Sequence, residues 1–165
     1  LDTEIRNAGE GKEAWVKIKI NHITDTDMVT KLYQASKAGV KIAIVIRGNC
    51  SLVPGLKGLS ENIRCVGIID RYLEHSRILI FANGGKPIFF IGSADWMPRN
   101  LLNRIEVLTP VYDEEMQADL MRTISYGMRD STNGRLIDGK GTDDFVNGEP
   151  FRSQEELYKE LKSKY

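Results

Sequence analysis

Cysteine and histidine are scarce in this sequence: among 165 residues the only cysteines are Cys50 and Cys65, and the only histidines are His22 and His75. Two cysteines at this spacing make neither a dense disulfide framework nor a zinc cluster, so both read as free, buried thiols in a reducing compartment. A net charge of one sign is also absent. Lysine plus arginine and aspartate plus glutamate each total 23, so no long-range field draws the domain to nucleic acid or to an acidic membrane, and any anion site must be local. No apolar run approaches the roughly 18 residues that mark a membrane span, and the amino end has no signal-peptide pattern. A cytoplasmic chain without a transmembrane segment is the expectation. An initiating methionine is lacking too, and the polar lead-in "LDTEIRNAGEGKEA" reads as a solvated segment or the end of a helix, which marks a piece of something longer.

What is present is the ordinary material of one domain, with a hydrophobic share of 41% in a chain long enough to bury a single core. "WVKIKIN" (15–21) alternates apolar and basic residues, the period of a strand. A helical spacing over 25–39 follows, with Asp25 or a threonine as N-cap and Gly39 as stop, and then the β-branched run 40–46. That is a β-α-β unit with parallel strands. The Gly-, Pro- and Asn-rich segment 47–62 predicts a long surface loop. Further strands are expected at 63–69, 76–81, 87–93 and 104–111, with "ANGGK" closing a hairpin between the 76–81 and 87–93 pair. A helix over about 113–128 begins at Asp113, and a last one over 153–164 opens with the capping-box pair Ser153 and Glu156. Residues 129–165 read as an irregular tail, with only "RLID" forming a strand, plus that terminal helix packed on the body. The fold expected for 1–165 is one α/β domain, a mixed β-sheet flanked by helices.

Reactive side chains fall at strand ends, where ligands gather in open α/β sheets. Arg47 directly follows one strand, His75 and Arg77 open another, and Ser93 and Asp95 close its hairpin partner. Hairpin pairing makes the last two groups neighbours. An imidazole that exchanges protons near neutral pH, a carboxylate to orient it and guanidinium groups that bind phosphate through paired hydrogen bonds together suit a phosphoryl group. Plainer roles compete: Arg47 has Asp70 and Glu74 as surface partners, and Ser93 and Asp95 are fit to cap the turn into "WMPRNLL". Trp15, Trp96, Phe89 and Phe90 read as core, His22 as structural, and Asn21 as a strand-end residue open to either role.

The stretch "HSRILIFANGGKPIFFIGSADW" resembles the phospholipase D superfamily pattern, His-x-Lys followed by Gly-Ser-x-Asn, with Arg77 in place of lysine and Asp95 in place of asparagine. With "VIRGNCSLVPGLKGLSENIR", "DRYLEHSRI", "IGSADWMPRNL" and "RIEVLTPV", the chain resembles, over essentially its whole length, the C-terminal catalytic domain of the bacterial long-chain polyphosphate kinase family. The resemblance implies a phospholipase D-like αβα sandwich and a reversible transfer of the ATP γ-phosphoryl group to polyphosphate, through a phosphohistidine on a preceding half absent here. It implies His75 as the partner histidine, Arg47 and Arg77 as ATP or phosphate ligands, and Asn21, Ser93, Asp95, Arg99 and Asn100 as the supporting wall, the last two in a loop after Pro98. It further implies Mg²⁺ for the whole enzyme with no ligand assigned in these residues, ATP, ADP and polyphosphate as partners, and a homo-oligomer in the full protein. A single-motif phosphodiesterase or nuclease acting as a dimer is the competing reading, which the zero net charge disfavours.

Overall fold

Strand β1 (Trp15–Ile20) alternates half-buried and buried residues at its start and buries every residue from Ile18 on, where the Lys19 ammonium is covered and paired with Glu74. A computed structural model of the chain describes residues 1–164. Helix α2 (Thr26–Lys37) starts where the Asp25 carboxylate accepts from the Met28 N–H at 3.0 Å, a cap worth about 1 kcal/mol. It turns Leu32 and Ala35 into the core and leads into β2 (Lys41–Ile46). β2 pairs parallel with β1 in the register Ile20↔Ile46, and with β3 (Ile63–Ile68) on its other side.

The sheet is completed by antiparallel neighbours. β4 (Arg77–Phe81) pairs with β1, β5 (Ile88–Gly92) with β4, β6 (Leu108–Pro110) with β5, and β7 (Gly134–Ile137) with β3. The resulting order is β6-β5-β4-β1-β2-β3-β7. One face carries Val16, Ile18, Ile44 and Cys65 under α1 (Asp2–Gly9) and α2; the other carries Val45, Val66, Ile78 and Ile80 under α3 (Glu114–Arg129). Gly127 lets α3 approach that closely, since a Cβ there would lie 2.9 Å from a Val45 methyl. Helix α4 (Ser153–Lys164) packs on α3, so the architecture is the expected mixed sheet between helical layers.

Several expectations needed correction. Of the two forms expected for the lead-in, a solvated segment or a helix end, the helix is present as α1, with Glu4 and Asn7 buried and Glu4 accepting from the Asn83 N–H at 2.7 Å. The 47–62 segment is the surface loop expected, without helix or strand and mostly exposed or half-buried, but it is pinned to the body where Leu52, Pro54 and Ser60 are buried. The strand expected over 104–111 shrinks to Leu108–Pro110, because Glu106 turns inward to hydrogen-bond Ser93 and Asn100. Ser153 forms no capping box: its hydroxyl and N–H both donate to Asp130, while Glu156 pairs with Lys159. Trp15 is half-buried beneath Lys17, and Phe90 is half-buried where Phe89 is core. Cys65 is buried and Cys50 half-buried, both as free thiols.

Candidate functional site

The C-terminal ends of β1 and β2 lie side by side because their pairing runs in register to Ile20↔Ile46. That places Asn21 next to Arg47, whose Nε donates to Asn21 Oδ1 at 2.6 Å. The competing partners expected for Arg47 are engaged elsewhere, Asp70 by Arg152 and Glu74 by Lys19. Beyond the strand ends, Ile23 is bridged on one side to Cys50 and on the other to Trp96. The Trp96 N–H donates to His22 O, and the Thr24 N–H returns to Trp96 O. The segment after β5 therefore crosses the start of β4 to reach β1, which carries Asp95 to Asn21.

Asp95 is the hub. Its Oδ1 accepts from the backbone N–H groups of Asn21 and His22 at 3.0 and 3.3 Å, and from Arg77 Nε at 3.3 Å. Arg77 Nη2 donates to Oδ2 at 3.0 Å. Burial raises the Asp95 carboxyl, but the Arg77 and Asn21 hydrogen bonds outweigh it and hold the group below the usual aspartate range. Arg77 Nη1 meanwhile lies 3.3 Å from both ring nitrogens of His75 and donates to its carbonyl at 3.0 Å. A continuous chain of contacts thus runs Arg47–Asn21–Asp95–Arg77–His75, with the imidazole exposed at its end.

The hairpin neighbours expected from the sequence do meet, through the Arg77↔Gly92 pairing. Arg47 also lines a cleft of about 440 Å³ over the ends of β2 and β3, together with Gly67, Ile69, Asn133, Arg135 and Phe145. His75 does not line that cleft; it is joined to Arg47 by the hydrogen-bond chain, not by a shared wall. Ser93 bonds Glu106 and accepts from the Val107 N–H, so neither it nor Asp95 caps the turn into the 96–102 segment. Arg99 and Asn100 occupy a single π-helical turn (Arg99–Asn103), not a loop. Asn100 is buried and donates to Glu106 Oε1 at 2.7 Å, whereas Arg99 is exposed and, among the described residues, joined to none of the others.

Glu106 was missed by sequence reasoning. Its carboxyl is held below the usual range first by Ser93, then by Asn100, with burial opposing. The available signal was a lone acid in the apolar run "RIEVL". His22 is structural as expected, its Nδ1 accepting from the Asn49 N–H at 3.0 Å, though its own backbone belongs to the Asp95 hub. For Mg²⁺ the donor set does not fit: the cation is usually held by one or two carboxylates together with substrate phosphates, and the site carboxylates Asp95 and Glu106 are both engaged by protein donors. Among the described residues no cluster of metal-ligating side chains forms, and no helix is long and apolar enough to cross a membrane.

Comparison with known proteins gives consistent findings. The family model for polyphosphate kinase C-terminal domain 2 matches residues 1–155. A polyphosphate kinase of Vibrio vulnificus (strain YJ016) is 48% identical over 99% of this chain and 24% of that protein; one from Escherichia coli (strain K12) is 40% identical over the same shares, 99% and 24%. The crystal structure of a polyphosphate kinase from Porphyromonas gingivalis superposes with a TM-score of 0.94 at 41% identity, covering 99% of this chain and 26% of that one. A phospholipase D family member, Nuc from Salmonella typhimurium, shares the fold alone, with a TM-score of 0.56 at 13% identity over 82% of this chain and 89% of that one. This chain spans about a quarter of the length of the polyphosphate kinases it matches. It belongs to the polyphosphate kinase C-terminal domain 2 family.

Proposed function

We propose that this domain supplies one half of the phosphoryl-transfer site of a polyphosphate kinase. The γ-phosphoryl group of ATP leaves the β-phosphate oxygen and bonds to a histidine nitrogen carried on a part of the enzyme outside this chain, releasing ADP. The terminal oxygen of a polyphosphate chain then displaces that nitrogen, and the sequence runs in reverse to make ATP. His75 stands opposite the nucleophile as proton donor to the leaving oxygen, or as hydrogen-bond donor to the migrating phosphoryl group. Arg47 holds nucleotide phosphate, and its neighbouring cleft takes the rest of the nucleotide. Arg77 orients His75 while Asp95 fixes Arg77. Mg²⁺, expected for the whole enzyme, would be held by substrate phosphates or by residues beyond this chain.

The observation that carries this reading is the unbroken contact chain from Arg47 to His75, which links the Arg47 guanidinium to an exposed imidazole at one end of the sheet. The test is ATP-dependent polyphosphate synthesis by the full-length protein and by the isolated domain. The full-length protein is expected to be active and the isolated domain inactive. His75→Ala in the full chain is expected to abolish or severely slow synthesis, and Arg47→Ala to raise KM for ATP. Robust synthesis by the domain alone, or wild-type rates with His75→Ala, would reject this assignment; cleavage of a phosphodiester by a dimer of the domain would favour the nuclease instead.

A further inference from the structure

His75 sits near the end of the connection 69–76 between β3 and β4, which has no regular structure. Ile69, Tyr72 and Leu73 are exposed along it, so little apolar burial fixes its course. Side chains at the start of α4 do so instead. Arg152 grips Asp70 at two points, Nη2 to Oδ1 at 2.6 Å and Nε to Oδ2 at 2.9 Å. The buried Gln154 amide satisfies both backbone groups of Tyr72: its Oε1 accepts from the Tyr72 N–H and its Nε2 donates to the Tyr72 carbonyl, each at 2.8 Å.

The same Nε2 reaches Glu74 Oε1 at 2.8 Å, and Glu74 Oε2 takes the Lys19 ammonium of β1 at 2.8 Å, itself only 3% exposed. The clamp is seated in turn by Asp130, fully buried, whose Oδ2 accepts from the N–H and hydroxyl of Ser153 and whose Oδ1 accepts from the N–H groups of 132–134. His75 itself contributes only its N–H to Leu73 O and its contacts with Arg77.

We infer that Arg152 and Gln154 are positioning residues for the transfer, setting where His75 stands by holding the loop that carries it while touching no substrate themselves. This rests on the phosphoryl-transfer role proposed for His75. Releasing Tyr72 and Glu74 lets the imidazole drift, and misplacement by about 1 Å costs on the order of a hundredfold in rate. Arg47 lies across the site directly after β2 and is held by Asn21, not by α4, so nucleotide binding is spared.

In the full-length protein, Gln154→Ala is expected to lower kcat roughly 10- to 100-fold while KM for ATP stays within about threefold, and to speed amide hydrogen exchange in 70–76 without speeding it in β1 or β2. Arg152→Ala, which breaks a separate tie, serves if Gln154→Ala does not fold; it is expected to act in the same direction, with Arg152→Lys recovering part of the loss. Tyr126→Phe removes the 2.6 Å hydrogen bond from Tyr126 to Glu160 between α3 and α4 and is expected to leave kcat unchanged. Wild-type kcat in Gln154→Ala, or exchange quickened across the whole domain, would overturn the positioning role. Activity surviving His75→Ala would instead reject the function proposed for His75; loss in His75→Ala but not in Gln154→Ala would reject positioning alone.

Discussion

Arg77 and Asp95 meet in a two-point ion pair, Nη2 to Oδ2 at 3.0 Å and Nε to Oδ1 at 3.3 Å, with side chains 14% and 6% exposed. These are the two positions at which the sequence departs from the His-x-Lys and Gly-Ser-x-Asn pattern, so the departures belong together. A forked guanidinium matches a carboxylate at two points, whereas a lysine ammonium offers a single point. Asp95→Asn alone leaves Arg77 shielded from water without its counter-charge, at a cost of about 3 kcal/mol. Adding Arg77→Lys should recover part of that loss. Urea unfolding of the wild type, both single variants and the double variant measures the coupling, expected at about 0.5–3 kcal/mol; an additive cycle would show that the two departures are unrelated.

Much of this arrangement was legible because it follows from neighbours in sequence. The period-two pattern of "WVKIKI" and the continuous "KIAIVI" gave β1 and β2, and the tight "ANGG" turn placed His75–Arg77 against Ser93–Asp95. Long-range polar contacts leave no such trace. Ser153 and Glu156 have capping-box spacing, yet Asp130 captures Ser153 from the end of α3. The run at 104–111 has the composition of a strand, yet its first half leaves the sheet while the Glu106 carboxylate bonds Ser93 and Asn100. The lead-in stayed open between a solvated segment and a helix end because Glu4 is charged, and the partner that lets it be buried, the Asn83 N–H, lies far away in the hairpin turn.

Gly48 is required by its neighbours. A Cβ there would lie 2.3 Å from His22 Cε1 and 2.9 Å from the Asn21 carbonyl, so neither side can yield without disturbing the residue that orients Arg47. Gly48→Ala is expected to destabilise the domain by about 1–3 kcal/mol. In the full-length protein it should raise KM for ATP more than it lowers kcat, because the displaced group is the one assigned to nucleotide phosphate. Thermal melting and steady-state kinetics check both.

Acid should loosen the same network. The carboxyls of Asp70 and Asp95 are both lowered in the folded protein: Asp70 chiefly by Arg152, and Asp95 by Arg77 and Asn21 against an opposing burial. A group lowered on folding contributes stability that is fully present above its ordinary value, here 3.8, and that disappears as pH falls through its lower folded value. The unfolding free energy of the wild type should therefore decline below about pH 4. Asp70→Asn should be less stable than the wild type at neutral pH and should decline less steeply on acidification, so that the two curves approach each other. Parallel curves from pH 7 to pH 2 in chemical denaturation would exclude the Asp70–Arg152 pair as a source of acid lability.

Glu106 makes the sharpest case for a residue whose importance is geometric. It accepts from the Ser93 hydroxyl and from the buried Asn100 amide, and the Val107 N–H that follows it donates to the same hydroxyl at 3.0 Å. One carboxylate thus ties the end of β5, the π-helical turn and the start of β6 into the wall beside Arg77. Glu106→Gln keeps an oxygen for Asn100 but presents an NH₂ group to Ser93, and Glu106→Ala removes both acceptors and leaves a buried amide without its partner, a mechanism that destabilises by itself. The full-length Gln variant should lose about tenfold in kcat and the Ala variant on the order of a hundredfold. The ordering is the test: if Ala and Gln variants lose equally, the negative charge matters in itself, through its field at Arg77, and not through the two hydrogen bonds.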